Sequence, residues 1–265
     1  MATSYTWVGG ALGSWNDPAS WTGGVGLPGA DDTVFITANS GTPPTIGSSV
    51  VQGTGAADFV TMAGVVILDG AFALDEVLLQ VFFRYSPLAG HLNIGTGSSL
   101  TGRTVTGLND NSVVVDGGSL HLTESLSVGG GTFVFRNGAT VDVGTLHANA
   151  GMIVLDSTSS LTVGAPGQGI AGTIVVGAEG VLNADTGVEF VMRSIINDGT
   201  ILGSTWYVPT GSLIINSGVN NRLIVGGHIR ADETSSAFIN NGTIESGTYS
   251  EIAGVSGPGQ GCSTL

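Results

Sequence analysis

The sequence contains no lysine, and its six basic residues are all arginines. Aspartate and glutamate number 20, which gives a formal net charge of −14 at pH 7. Nucleic-acid binders neutralise phosphates with clustered lysine and arginine, and anionic membrane surfaces attract the same side chains. The composition therefore argues against nucleic-acid binding and against attraction to an anionic membrane. The acidic excess favours solubility through self-repulsion, with attraction of divalent cations as the alternative.

Cysteine and long apolar runs are scarce as well. Cys262 is the one cysteine, so no intramolecular disulfide can form, and we interpret it as an inert thiol or an intermolecular bridge. The opening MATSYTW has neither a basic n-region nor an apolar h-region. No apolar run approaches the roughly 18 residues that span a bilayer. We therefore expect no membrane insertion and no recognisable cleavable signal peptide.

Glycine, by contrast, is abundant, at 45 of 265 residues, whereas aromatic residues make up 6% and charged residues 10%. The glycines follow no Gly-X-Y period, which excludes collagen and favours tight turns. The apolar residues are mainly valine, isoleucine and leucine, which suit inward-facing strand positions. This composition indicates an all-β protein.

Residues 111–210 repeat a pattern about every 20 residues: an apolar run, a short polar turn and a second apolar run. Two columns align at multiples of this period: Val113, Phe133 and Ile153, and then Val115, Phe135, Leu155 and Val175. Units this short bury their apolar face only by stacking on their neighbours. The sequence therefore predicts an all-β fold, a single parallel β-solenoid (β-helix) with about 20 residues per turn.

Three zones divide the chain. The prediction is a Trp/Gly-rich N-terminal cap at 1–32, a β-solenoid at 33–252, and a flexible or partner-ordered tail at 253–265. The cap holds Trp7, Trp15 and Trp21. Their rings can cover the open end of the solenoid core, or they can form an aromatic platform for sugar rings.

The stretch Asp75–Gly90 is the most apolar part of the chain and carries Phe82, Phe83 and Tyr85. Its periodicity does not separate a buried strand from a short helix. If it is exposed instead, it forms an interaction patch. Together with the tryptophans and Cys262, these three aromatic residues are our candidates for assembly or binding.

Candidate chemistry is sparse. The period places Asp116, Arg136 and Asp156 in one column, which we interpret as a structural charge ladder. Carboxylates two strands apart would be separated by roughly 9–10 Å, near the limit for an inverting glycosidase. However, an intervening Arg136 would keep both ionised, whereas a general acid needs a raised pKa.

The four histidines fall in different columns and form no metal-ligand motif. We therefore predict a protein that is not an enzyme and that has no cofactor. Calcium at Asp17 or at Asp31 and Asp32 is a weak alternative.

The opening TWVGGALGSWNDPASWTGG, followed by LPGADDTVFI, resembles the start of bacterial secreted and autotransporter-like β-solenoid surface proteins. The matching positions are Trp7, Gly9, Trp15, Asn16, Trp21, Pro28, Gly29, Asp31 and Asp32. The corners INDGTI (196–201) and INNGTI (239–244) look like turns of adhesin and haemagglutinin-type β-helices. The resemblance implies a secreted or cell-surface protein of adhesin, matrix or filament type.

Two functions follow from these observations. The first is a non-enzymatic structural or adhesive subunit that self-associates end to end into a surface or matrix filament, such as a biofilm matrix. The alternative is a glycan-binding or polysaccharide-cleaving β-helix. The repeated columns hold only core and corner residues, so we expect specific recognition at the Trp-rich opening, the Asp75–Gly90 stretch and Cys262.

Overall fold

A computed structural model describes most of the chain. It covers residues 2–40, 45–46, 48–80, 90–107, 111–129, 131–156, 158–164, 167–177, 180–184, 188–203, 205–208, 213–216, 222–231, 237–240, 243–249, 255–256 and 262–264. Side chains are described mainly for residues up to Ile201. Within these ranges the structure is almost entirely β-strand, with one short 3-10 helix at Pro18–Ser20.

The strands are numbered in chain order. They are β1 (Ser4–Trp7), β2 (Leu12–Ser14), β3 (Trp21–Thr22), β4 (Thr33–Thr37), β5 (Asn39–Ser40), β6 (Thr45–Ile46), β7 (Ser48–Ala63), β8 (Val65–Gln80), β9 (His91–Ile94), β10 (Ser99–Gly107), β11 (Ser112–Asp116), β12 (Ser119–Val128), β13 (Thr132–Arg136), β14 (Thr140–Leu155), β15 (Ser160–Val163), β16 (Gly167–Val176), β17 (Val181–Ala184), β18 (Val188–Asn197), β19 (Thr200–Gly203), β20 (Thr205–Val208), β21 (Leu213–Asn216), β22 (Arg222–Ala231), β23 (Ala237–Asn240), β24 (Thr243–Tyr249), β25 (Val255–Ser256) and β26 (Cys262–Thr264).

Parallel pairing between successive turns builds a β-solenoid, which confirms the predicted fold class. One column of Cα partners runs through Leu92, Val113, Phe133, Ile153, Ile174 and Ile195. All six side chains are fully buried. From the first to the last of them the chain completes five turns of 20 or 21 residues.

The predicted position of Val175 in the column of Phe135 and Leu155 is wrong. The partner of Leu155 is Val176, which is buried, whereas Val175 is only partly buried. The turn between them has 21 residues instead of 20. Because side chains alternate between the two faces of a strand, one extra residue turns Val175 outwards and Val176 inwards.

Each long strand pairs with different strands along its two parts. The first part of β14 pairs with β12, while its last four residues pair with β13. The chain therefore passes from one side of the solenoid to another within a continuous strand. Shorter strands meet at tight corners such as Asn137-Gly138, where φ is 58° and 79°. Asparagine and glycine tolerate these positive φ values, as the dipeptide predicts.

The N-terminal region departs from the regular winding. β1 lies between β3, with which it pairs antiparallel, and β4, with which it pairs parallel. β4 in turn pairs with β7, and β2 pairs with another part of β7. These short strands therefore close the first turn of the solenoid.

The chain after Ile195 continues the ladder with less regular spacing. Its Cα partners continue through Ile214, Phe238 and Val255. Within the predicted tail at 253–265, β25 pairs with β23 and β26 pairs with β24. Strand pairing uses backbone N–H and C=O groups, so a segment of low apolar content can still join the ladder.

The stretch Asp75–Gly90 begins as strand. Its first six residues belong to β8, with Val77 and Leu79 buried. Of the two predicted conformations, the strand is therefore present over 75–80. The following residues 81–89 lie outside the described ranges.

Candidate functional site

The three N-terminal tryptophans form a buried cluster. Trp7, Trp15 and Trp21 are 5%, 1% and 7% exposed. The ring of Trp21 meets those of Trp7 and Trp15 edge to face, with centroids 5.0 Å and 4.7 Å apart. Trp21 Nε1–H also donates to the Trp15 carbonyl at 2.9 Å. Their burial contradicts the prediction of an aromatic sugar platform and leaves these rings no direct role in an assembly contact.

The same cluster joins the cap to the solenoid core. The Trp15 ring lies 5.7 Å from that of Phe72 on β8. Gly55 on β7 makes this contact possible, because a Cβ there would lie 2.4 Å from the Trp15 ring. The tryptophans therefore cover the end of the core, as expected of a cap.

The N-terminal region exposes several large apolar side chains. Seven large apolar side chains are exposed in the described part of the chain, and five of them lie within residues 8–35: Val8, Leu12, Val25, Leu27 and Phe35. Leu12 is 63% exposed and begins β2, which pairs only with β7 among the described strands. Apolar side chains thus occur beside a strand edge that no other described strand covers, although the Ser14 carbonyl of β2 accepts from the Asp17 N–H.

A shallow depression lies beside Trp15. Its volume is about 300 Å³, and its walls include Asn16, Leu27, Pro28 and Thr54. The Asn16 side chain is engaged by the backbone of Thr54, to which it donates and from which it accepts at 3.0 Å. The depression therefore offers few free polar groups for orienting a substrate.

The predicted charge column is divided by the structure. Arg136 donates to Asp116 Oδ2 from Nε and Nη2 at 3.0 Å and 2.7 Å. Asn137 Nδ2 donates to the other oxygen of Asp116. These hydrogen bonds, first that of Asn137 and then that of Arg136, hold the pKa of Asp116 below its usual range.

Asp156 has different partners. It accepts from the backbone N–H of Asn137 at 2.6 Å and of Thr158 at 3.0 Å, and from the Ser159 hydroxyl at 2.7 Å. Partial burial raises its pKa, but these hydrogen bonds outweigh burial and lower the pKa overall. Both carboxylates therefore stay ionised, whereas a general acid must be protonated near neutral pH.

Sequence reasoning missed a second charge cluster. Arg103 on β10 contacts Asp75 at 3.2 Å, Glu76 at hydrogen-bond distance and Glu124 at 3.7 Å. Each of the three acidic residues lies 21 to 28 positions from Arg103 in the sequence, which does not match a strict 20-residue spacing. The observed register explains the cluster, because Thr104, next to Arg103, is the Cα partner of Glu76 and Ser125. The sequence gives no signal for this register.

Two histidines have polar neighbours. The His91 ring contacts the Ser112 hydroxyl at 2.5 Å, and burial lowers the His91 pKa. His121 Nδ1 lies 3.1 Å from Asp142 Oδ2 on an exposed face. Within the described ranges, no three histidine, cysteine, aspartate or glutamate residues converge in a metal-binding geometry.

The remaining candidates are placed as follows. Asp17 accepts from the Ala19 N–H, and Asp32 accepts from the N–H groups of Thr3 and Gly29, so these carboxylates serve the backbone. Cys262 begins β26, and its backbone pairs with Ile244. Phe82, Phe83 and Tyr85 lie outside the described residues.

No protein-family model, curated protein or solved structure matches this chain. The assignment of a β-solenoid with a Trp-rich N-terminal cluster therefore rests on the structure alone. Among the described residues, no helix is long and apolar enough to cross a membrane. The bacterial, secreted and adhesin-like character remains an implication of the resemblance.

Proposed function

We propose that this protein is a non-enzymatic structural subunit, secreted or held at a bacterial cell surface, that self-associates end to end into a filament of adhesive or matrix type. The observation that carries the proposal is the exposed apolar surface beside a free strand edge at the N-terminal end. The resemblance of the Trp-rich opening to bacterial surface β-solenoids supports the location.

The N-terminal contact would use Val8 and Leu12. Val8 is 51% exposed directly after β1, and Leu12 begins the edge strand β2. Exposed apolar side chains next to unpaired backbone groups favour pairing with another chain. Trp15 and its neighbours already cover the core within one chain. The contact between copies would therefore bury surface residues and not the core itself.

The C-terminal contact would use the last turn. β25 and β26 each pair with one earlier strand among the described residues, so the opposite edge of each can accept a partner. The two ends differ in chemistry, which makes the contact between copies heterologous. Such a contact propagates into a filament when its rotation does not close a ring.

Catalysis has little support from the charged groups. The two carboxylates of the predicted glycosidase pair, Asp116 and Asp156, are both stabilised in their ionised forms. An inverting glycosidase needs one protonated carboxyl group. The buried tryptophans offer no exposed platform, so the glycan-binding alternative would require another surface of the solenoid.

Electron microscopy and sedimentation of the purified protein test the proposal. We expect unbranched filaments from the wild type and only short species from the double variant Val8→Asp/Leu12→Asp, because two carboxylates cannot be buried unpaired at the contact. Thr140→Asp, an exposed position on the solenoid side, should leave the filaments intact. Wild-type protein that forms no filaments, or that binds or cleaves a polysaccharide as a monomer, would refute end-to-end assembly.

A further inference from the structure

One outward-facing column of the solenoid is aliphatic over most of its length. Its positions are Cα partners on successive parallel strands: Val50, Ile67, Asn93, Val114, Val134, Val154, Val175 and Ile196. Each lies between two inward-facing residues, so the alternation of the strand turns it outwards. We call these eight positions the aliphatic column, of which Asn93 is the one polar member.

The aliphatic column is specific to one side of the solenoid. A second outward-facing column, on β10, β12, β14 and β15, carries Thr101, His121, Asp142 and Thr162. Strand propensity acts on both sides alike and does not explain why only one is aliphatic. A sheet that faces water on its outer side is usually polar there.

Exposure sets the same face apart. Beyond Phe35, the exposed large apolar side chains of the described residues are Met152 and Ile196. Ile196 belongs to the aliphatic column, and Met152 lies two residues before Val154 on the same face. A long apolar strip on a protein surface, here interrupted only by Asn93 among the eight positions, favours an interaction site.

The two borders of this face differ in charge. On one side, the neighbouring outward-facing positions include the hydroxyl residues Ser112, Thr132 and Thr173, together with Met152. On the other side lie the charged residues Asp69, Asp116, Arg136 and Asp156. We call these the hydroxyl border and the acidic border.

We propose that a second copy of this chain covers the aliphatic column, face to face, with the two solenoid axes parallel. The backbone ladder extends the column through β21 and β23 to ten strands. At about 4.8 Å per strand and about 16 Å across five residues, the face measures roughly 700 Å². Two such faces bury roughly 1,400 Å², which is within the range of stable, specific interfaces.

The borders determine the relative direction of the two copies. In an antiparallel pair related by a two-fold axis across the strip, acidic border would face acidic border, and like charges repel. A two-fold axis along the strip instead sets each acidic border against the hydroxyl border of the other copy. Hydroxyl groups can donate to carboxylates, and each residue of the aliphatic column then meets its own equivalent.

This lateral pairing goes beyond the end-to-end contact, and it uses other residues. The lateral pairing and the end-to-end contact can therefore be refuted independently of each other. All measurements are made in the Val8→Asp/Leu12→Asp background, which removes the end contact. A lateral dimer that persists while the wild type forms no filaments would refute the end contact alone.

Sedimentation equilibrium tests the pairing. In that background we expect a dimer, and we expect Val134→Glu/Val154→Glu to abolish it. The matched control is Thr140→Glu/Ser160→Glu, because these outward-facing residues are also Cα partners and gain the same pair of like charges. Val134→Thr/Val154→Thr retains β-branched side chains and should weaken the dimer without a charge, which separates pairing from a folding defect.

Several outcomes would overturn the proposal. One is a monomer at every concentration of the parent protein, including a monomer that binds an extended polysaccharide through this face. Another is equal loss of the dimer in the Thr140→Glu/Ser160→Glu control. The parallel direction is tested by oxidising Val114→Cys and Val175→Cys variants, each in a Cys262→Ser background. Each should cross-link to itself, whereas cross-linking only in a mixture of the two would refute the parallel arrangement.

Discussion

Asp116 illustrates how a single side chain stabilises a corner of the solenoid. Hydrogen bonds from Asn137 and Arg136 favour its ionised form in the folded protein and lower its pKa. A group whose pKa is lowered by folding stabilises the fold above its unfolded pKa of about 3.9. That contribution is lost as the pH falls through the lower pKa of the folded state.

We therefore predict that Asp116→Asn lowers the free energy of unfolding by about 0.5–1 kcal/mol at pH 7, the size expected for an exposed ion pair. The difference from wild type should vanish below the folded-state pKa, where Asp116 is protonated in both states. Urea unfolding at a series of pH values measures it. Asp58→Asn is the control, since Asp58 is exposed and forms no ion pair within the described part of the chain. An equal loss in both variants would contradict the assignment.

Individual residues also show what a sequence does not reveal. The alignment of Asp116 with Arg136 follows from the repeat, and the structure pairs them. The partners of Asp156 do not follow from it, because they are backbone and hydroxyl groups of its own corner and of the corner one turn earlier. The Arg103 cluster depends on an irregular register between Gly102 and Thr104, which no spacing in the sequence encodes.

Among the structural elements, the corner between β13 and β14 depends on backbone conformation. Asn137 and Gly138 both have positive φ, where an ordinary L-residue is strained. A Cβ at Gly138 would meet nothing within 4 Å, so only the backbone opposes a side chain there.

Gly138→Ala should accordingly lower the free energy of unfolding by about 1 kcal/mol. Gly164→Ala should have little effect, because Gly164 also has open space around its Cβ position but no positive φ. Chemical denaturation of the two variants provides the comparison. Equal destabilisation would show that loss of glycine itself, and not the left-handed conformation, is responsible.

The elements also differ in how well the sequence predicts them. The column of Val113, Phe133 and Ile153 follows directly from the 20-residue period. The next turn has 21 residues, so the same rule misplaces Val175 by one position. The apolar pattern does not predict β25 and β26, because their pairing depends on backbone hydrogen bonds.

The whole molecule is a linear stack, in which each turn contacts mainly its neighbours. Stability in such a stack is close to a sum of contributions from single turns and their interfaces. The Trp cluster stabilises the first turns through Trp15 and Phe72. Damage to the cap should therefore remain local.

We predict that Trp15→Ala lowers stability by about 3–5 kcal/mol at the N-terminal turns, as expected for removal of a buried aromatic side chain. Native-state hydrogen exchange should show faster exchange in β1–β8 and unchanged protection in β13–β16. Phe133→Ala is the control, with loss of protection centred on β11, β13 and β14. A uniform loss in either variant would mean that the solenoid unfolds as one cooperative unit.

At this scale, the sequence alone determined the fold class, a turn length of about 20 residues to within one residue, and the Trp-rich N-terminal cluster, because all three depend on local periodicity and composition. Only the tertiary structure decided that the tryptophans are buried and that one side of the solenoid is aliphatic. Both properties arise when residues from different turns meet, and an error of one residue in a strand exchanges its inner and outer faces. The aliphatic column is therefore visible only once the observed register aligns the turns.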